Sequence, residues 1–131
     1  MKIRIITLGD YQKLIQFWKT HYFVRGIDSF KYFKLFLEKN PGLSILAEEN
    51  GNIIGTVLGS FDGRREYIQK LAVHKDFRGK GLGKKLVEKV VEKLQAKGAL
   101  YIPINCEKEL VPFYKKCGFK ITGQVTVSKE K

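Results

Sequence analysis

Glycine and positive charge converge in one short segment, Arg78-Gly79-Lys80-Gly81-Leu82-Gly83-Lys84. Small residues let main-chain amides approach a ligand closely, and the segment runs straight into a stretch with helical periodicity. The first turn of a helix has unpaired N–H groups and a partial positive charge, so it accepts a phosphate. Such a helix end contributes about 0.3–1 kcal/mol to a surface anion and up to ~2 kcal/mol to a partly buried one. Arg78, Lys80, Lys84 and Lys85 add full charges at the same point. The chemistry implied is the gripping of a phosphate or pyrophosphate.

Two other phosphate loops fail on spacing. The nucleoside-triphosphate loop needs G-x-x-x-x-G-K-[ST], which here would put Arg78 at the first glycine and Lys85 at the magnesium-holding hydroxyl. The dinucleotide pattern G-x-G-x-x-G fits Gly79 and Gly81 but lands on Lys84. It also belongs near the start of a βαβ unit, whereas this turn follows a run of hairpins. Elsewhere, Cys106 and Cys117 are too few for a disulfide scaffold, have no partners for a metal site, and read as free, mostly buried thiols.

The elements that must position this segment are legible from periodicity. Lys2 to Thr7 alternates as a half-buried strand. Asp10 reads as the cap of a helix with Tyr11, Leu14, Ile15 and Trp18 on its apolar face, and a second helix follows Asp28-Ser29 with Phe30, Phe33 and Leu37. Asn40-Pro41-Gly42 ends it. Three strands come next, Leu43 to Glu49, Ile53 to Phe61 and Tyr67 to Val73, joined by the turn pairs Asn50-Gly51 and Asp62-Gly63. From Gly81 a long helix buries Leu82, Leu86, Val87, Val90, Val91 and Leu94 and stops at Gly98. A short strand, Tyr101 to Ile104, a short helix, Glu107 to Lys116, and one or two closing strands over Phe119 to Val127 complete the chain. The predicted order is β-α-α-β-β-β-α-β-α-β(-β), a mixed α/β or α+β fold with a mostly antiparallel sheet, in a single domain over residues 1–131.

Composition sets the class of partner. Twenty-five Lys plus Arg against thirteen Asp plus Glu give 131 residues a net charge of +12, which favours an anionic ligand. No apolar run is long enough to cross a bilayer and no export signal opens the chain, so a cytoplasmic protein without a membrane partner is expected.

The glycine segment matches Arg/Gln-x-x-Gly-x-Gly/Ala and thereby resembles the pyrophosphate cradle of GNAT-type N-acetyltransferases. Leu71-Ala72-Val73-His74-Lys75-Asp76-Phe77 resembles the family's strand and approach to that cradle, with His74 where proline is commonest. Phe113-Tyr114-Lys115-Lys116-Cys117-Gly118-Phe119 resembles its following F-Y-x-K-x-G-F segment. From Ile104 to Phe119 the chain is most similar to glucosamine-phosphate N-acetyltransferases. Those enzymes carry Glu-Asp on the fourth strand where this chain has Gln69-Lys70, so their phosphosugar specificity does not carry over.

The resemblance implies acetyl-CoA as co-substrate, held by Leu71, Ala72, Val73 and by Arg78, Gly79, Lys80, Gly81, Leu82, Gly83 and Lys84. It implies direct attack by a primary amine, of a small molecule or a peptide, with a main-chain N–H near Leu71 polarising the thioester oxygen. Tyr114, whose phenol is protonated at neutral pH, is expected to protonate the leaving thiolate. Gln69 and Asn105 are expected to face the acceptor, with Asn105 ending the fifth strand. Glu48, Glu49, Glu66 and His21 remain open as the general base. The basic field points to neutral or anionic acceptors, and pairing of edge strands to a homodimer. The rival readings are a basic nucleic-acid-binding module with aromatic stacking, and a CoA-binding fold without turnover.

Overall fold

A computed structural model describes residues 1–131. Strands β1 (Lys2–Ile5), β2 (Ile45–Glu49), β3 (Asn52–Phe61) and β4 (Glu66–Val73) form one antiparallel sheet in the order β1-β2-β3-β4. Helices α1 (Tyr11–His21), α2 (Phe30–Lys39), α3 (Leu82–Ala96) and α4 (Val111–Lys116) accompany it. The expected mixed α+β class, its two early helices and the hairpin run are all present.

Strand alternation divides the core between the two faces of the sheet. Ile45, Ala47, Val57 and Ile68 pack with Leu82, Leu86, Val90 and Leu94 of α3. Leu46, Leu58 and Ala72 pack with Leu14, Phe17, Trp18 and Phe33 of α1 and α2. Each such large side chain stabilises the fold by about 1.5–3 kcal/mol relative to exposure. The α3 helix lies close on β3 because of glycine: a Cβ on Gly59 would come 2.7 Å from Leu43 O and 2.8 Å from a Val90 methyl.

The turns follow their residues, with one exception. Asn50 and Gly51 take φ of 53° and 79°. Both lie in the left-handed region that a tight hairpin turn needs. The β3–β4 connection is longer than its Asp62-Gly63 pair suggests. Asp62 Oδ1 accepts the N–H groups of Arg64 (2.9 Å) and Arg65 (2.7 Å), so a side chain closes a loop running to Arg65. Asp10 also acts differently from the expected helix cap: its carboxylate turns back to accept the Thr7 N–H at 2.8 Å and to pair with Arg4.

The strands expected at Tyr101 to Ile104 and Phe119 to Val127 do not form, and the sheet ends at β4. Ile102, Ile104 and Phe119 pack against the α3 core through side chains alone. Pro103 has no N–H to give to a ladder. Val125 and Val127 are 86% and 89% exposed, so their alternation meets no neighbouring strand.

Candidate functional site

The site is built where β4 hands over to α3. Opposite Val57, β4 carries an extra residue: Thr56 faces Ala72 but Leu58 faces Gln69, so Lys70 and Leu71 form a bulge. Lys70 adopts a φ of 53°. That left-handed conformation is unusual for a residue with a side chain. Three contacts explain its persistence. Trp18 Nε1 donates to Thr56 Oγ1 (3.0 Å), Thr56 Oγ1 donates to Lys70 O (2.8 Å), and the Lys70 ammonium is held at the far end of its side chain by Asp28 at 2.8 Å.

Beyond the bulge the strand has an open edge. His74 N–H donates to Ile54 O at 2.8 Å, toward β3, while Val73 O points the other way and accepts from Arg78 Nε at 2.9 Å. Leu71 and Val73 are half-buried and Ala72 is buried.

A 3-10 turn, Lys75–Phe77, then leads to the glycine segment, with His74 Nδ1 accepting the Asp76 N–H at 3.1 Å. Gly81 caps α3 in the left-handed region, with φ at 85°. That conformation would strain a residue with a Cβ. The first bond of the helix is Lys85 N–H to Gly81 O at 3.0 Å, so the amides of Leu82, Gly83 and Lys84 lie ahead of the helical ladder. No acidic side chain occupies that first turn. Gly83 lets α4 pack close, since a Cβ there would stand 3.3 Å from the Phe113 ring.

The cations of the segment divide their roles. Lys80 and Lys84 are exposed, with Lys80 Nζ 5.7 Å from the Phe77 ring centroid and Lys84 Nζ 3.7 Å from Glu88 on the same helix. Arg78 instead binds back onto Val73 and approaches the His21 carbonyl, fastening the loop to β4 and to the end of α1. The chain's two histidines meet here, with ring centroids of His21 and His74 4.2 Å apart. Burial first, then the nearby His74, Arg78 and Lys75, hold His21 below its ordinary value of 6.5.

Tyr114 presents a buried phenol from α4, its ring edge-on to Phe113 at 5.0 Å and Phe119 at 5.7 Å. Burial pushes its ionisation well above the usual phenol value of 10.0, so the proton is firmly held. Gln69 is exposed on β4, and Asn105 is exposed on the segment before α4, accepting from Thr126 Oγ1 at 3.2 Å. Asn105 therefore ends no strand. Cys106 is exposed, contrary to the expected burial, and Cys117 is half-buried. Desolvation raises both thiols above their ordinary range.

The four candidate bases are differently placed. Glu48 accepts from Arg4 Nε at 3.1 Å on the far side of the sheet. Glu49 lies 3.8 Å from the N-terminal amine. Glu66 is buried at the start of β4, with Oε2 lacking a partner. His21 is stacked on His74. Sequence reasoning missed the pair Lys70–Asp28, taking Lys70 only as a departure from a family pattern. Simple alternation could not have found it: Ile68 packs on the α3 side of the sheet and Ala72 on the α1–α2 side, so the strand changes faces at the bulge that carries Lys70.

The acetyltransferase (GNAT) family model matches residues 11–119. An acetyltransferase of Pectobacterium atrosepticum is 31% identical over 133 residues, covering 98% of this chain and 94% of that protein. Glucosamine-6-phosphate N-acetyltransferase from Arabidopsis thaliana superposes with a TM-score of 0.76 at 27% identity, covering 98% of this chain and 97% of its own. A predicted acetyltransferase from Clostridium acetobutylicum, crystallised with acetyl-CoA, has the same fold, with a TM-score of 0.78 at 22% identity and coverage of 98% and 95%. No helix of the chain is long and apolar enough to cross a membrane. With the family model matching most of its length and a relative 31% identical along nearly all of it, the chain belongs to the acetyltransferase (GNAT) family.

Proposed function

We propose that this acetyltransferase moves an acetyl group from acetyl-CoA to a primary amine by direct attack. The observation that carries the reading is the β4 bulge, which sets an open-edge main chain just ahead of the unladdered amides of α3. The pyrophosphate sits at those amides, with Lys80 and Lys84 alongside. The pantetheine arm runs along Leu71 to Val73, and the Leu71 N–H stabilises the thioester oxygen as negative charge develops on it. The amine attacks the carbonyl carbon, the tetrahedral intermediate collapses, and the carbon–sulfur bond breaks to release CoA thiolate.

Tyr114 gives its proton, or a strong hydrogen bond, to that thiolate. A phenol held above its ordinary ionisation range is a weak acid in the free enzyme. Its contribution therefore grows as charge appears on sulfur, and it stays protonated between turnovers. The acceptor enters as the free amine, and the proton that its nitrogen sheds after attack passes to water; of the four candidate bases, Glu48 is paired with Arg4 and Glu49 lies beside the N-terminal amine. The rate should then climb with pH toward the acceptor's own pKa, about 10.4 for a lysine-type amine. The net charge of +12 favours neutral or anionic acceptors.

The pairing of Glu48 with Arg4 and of Glu49 with the N-terminal amine also motivates a second reading, CoA binding without turnover. Calorimetry with acetyl-CoA, followed by thiol release over a panel of amino sugars, amino acids and peptide N-termini, separates the two. Binding with release supports transfer, binding without release on any amine supports the second reading, and no binding of acetyl-CoA or CoA overturns both.

A further inference from the structure

An ammonium is a poor occupant for a protein interior unless something replaces its water. The Lys70 side chain is 6% exposed, and its Nζ is received by the connection between α1 and α2. Nζ donates to Asp28 Oδ2 at 2.8 Å and to the Phe23 carbonyl at 2.7 Å. It also faces the rings of Phe23, Trp18 and Tyr22, with Nζ 4.4, 5.0 and 5.2 Å from their centroids. A carboxylate, a carbonyl and the faces of several aromatic rings are the groups that recognise an alkylammonium ion. The cage walls are themselves tied down. Asp28 Oδ2 accepts the Arg25 N–H at 2.8 Å, Tyr11 donates to Asp28 O at 2.7 Å, and Tyr22 stacks on Phe23 with centroids 4.2 Å apart.

We propose that the α1–α2 connection is an alkylammonium-binding cage whose ligand is supplied from within the chain by Lys70, and that this internal ligand positions residues Tyr22 to Asp28 over the β4 bulge. Lys70 is thus a positioning residue. Its carbonyl is fixed by Thr56 and its ammonium fixes the loop, so one residue joins the bulge to the wall beside it. The importance of this arrangement for acetyl transfer rests on the proposed function, but the cage itself does not. Because the cation position is already filled, an acceptor ammonium finds no free carboxylate there.

The test uses Lys70→Ala in the full chain, with n-propylammonium, the portion of the side chain removed, as the probe and n-propanol as its uncharged counterpart. Amide hydrogen exchange over residues 22–28 should rise at least tenfold in the variant, while amides of β2 and β3 stay protected. Millimolar n-propylammonium should restore most of that protection and n-propanol should not. Unchanged exchange in the variant, no restoration by propylammonium, or equal restoration by propanol would overturn the proposal. Should Lys70→Ala fail to fold, Lys70→Met keeps the bulk without the donors. It should expose the same amides, and wild-type protection in it overturns the cage. Acetyl-CoA binding by the unaltered protein is measured separately by calorimetry, so failure of the acetyl-transfer reading is distinguishable from failure of the cage.

Discussion

Two cation–carboxylate anchors hold the α1 region, one before the helix and one after it, and they are built differently. At the entry, Arg4 grips Asp10 with both terminal nitrogens, at 2.9 and 2.8 Å, and also reaches Glu48. Its side chain is 28% exposed. At the exit, Lys70 meets Asp28 with 6% and 9% side-chain exposure, inside an aromatic cage. The entry anchor ties β1 and β2 to the start of α1, far from the bulge. The exit anchor belongs to the bulge itself. The first secures the architecture, while the second joins the architecture to the site.

The largest effect should come from breaking the buried anchor on one side. Asp28→Leu leaves an uncompensated ammonium in the interior and should destabilise the protein by about 3–5 kcal/mol. Adding Lys70→Met to that variant should recover most of the loss, because well-packed apolar residues replace buried ion pairs at little cost. Denaturant midpoints of the single and double variants check both statements.

Next in size, Tyr114→Phe should lower kcat at least about tenfold, below the usual range for proton transfer and so a conservative threshold. Acetyl-CoA affinity should barely change, and single-turnover kinetics with calorimetry would show the split. Unchanged turnover would remove Tyr114 from the mechanism. Gly81→Ala forces a Cβ into the left-handed cap of α3. It should reduce stability by about 1–2 kcal/mol. The same change should weaken acetyl-CoA binding, and a thermal melt with and without acetyl-CoA measures both effects.

The smallest effect is at the entry anchor, and it is pH-dependent. Hydrogen bonding from Arg4 is the main reason the Asp10 carboxyl lies below its ordinary 3.8. A depressed carboxylate contributes stability above its unfolded value, and that contribution disappears as pH falls through the folded one. Asp10→Asn should therefore lose stability at neutral pH, flatten the acid limb below about pH 4, and leave kcat unchanged. A changed kcat would erase the distinction between the anchors.

Legibility in the sequence followed the same division. Helices α1, α2 and α3 and strands β2 to β4 were readable because apolar spacing and the residues at their ends agree, as at Asn50-Gly51 and Gly81. The glycine segment was readable as the start of a helix because Gly81 takes the left-handed cap that only glycine adopts freely. Lys70 was harder, because a charged residue in a strand ordinarily faces water and its partner Asp28 lies 42 positions away. The bulge that presents it leaves no local signature, since it depends on the Trp18–Thr56 hydrogen bond between helix and sheet. The strands expected at Tyr101 to Ile104 and Phe119 to Val127 show the converse failure. Their alternation is genuine, but a ladder requires a neighbour that no local pattern supplies.

Trp18 is the chain's one tryptophan, and it touches both the Thr56 hydroxyl and the Lys70 cation. The protein thus carries an intrinsic optical probe at the hinge between scaffold and chemistry. Its emission needs no added dye to follow the loop's arrival or its departure.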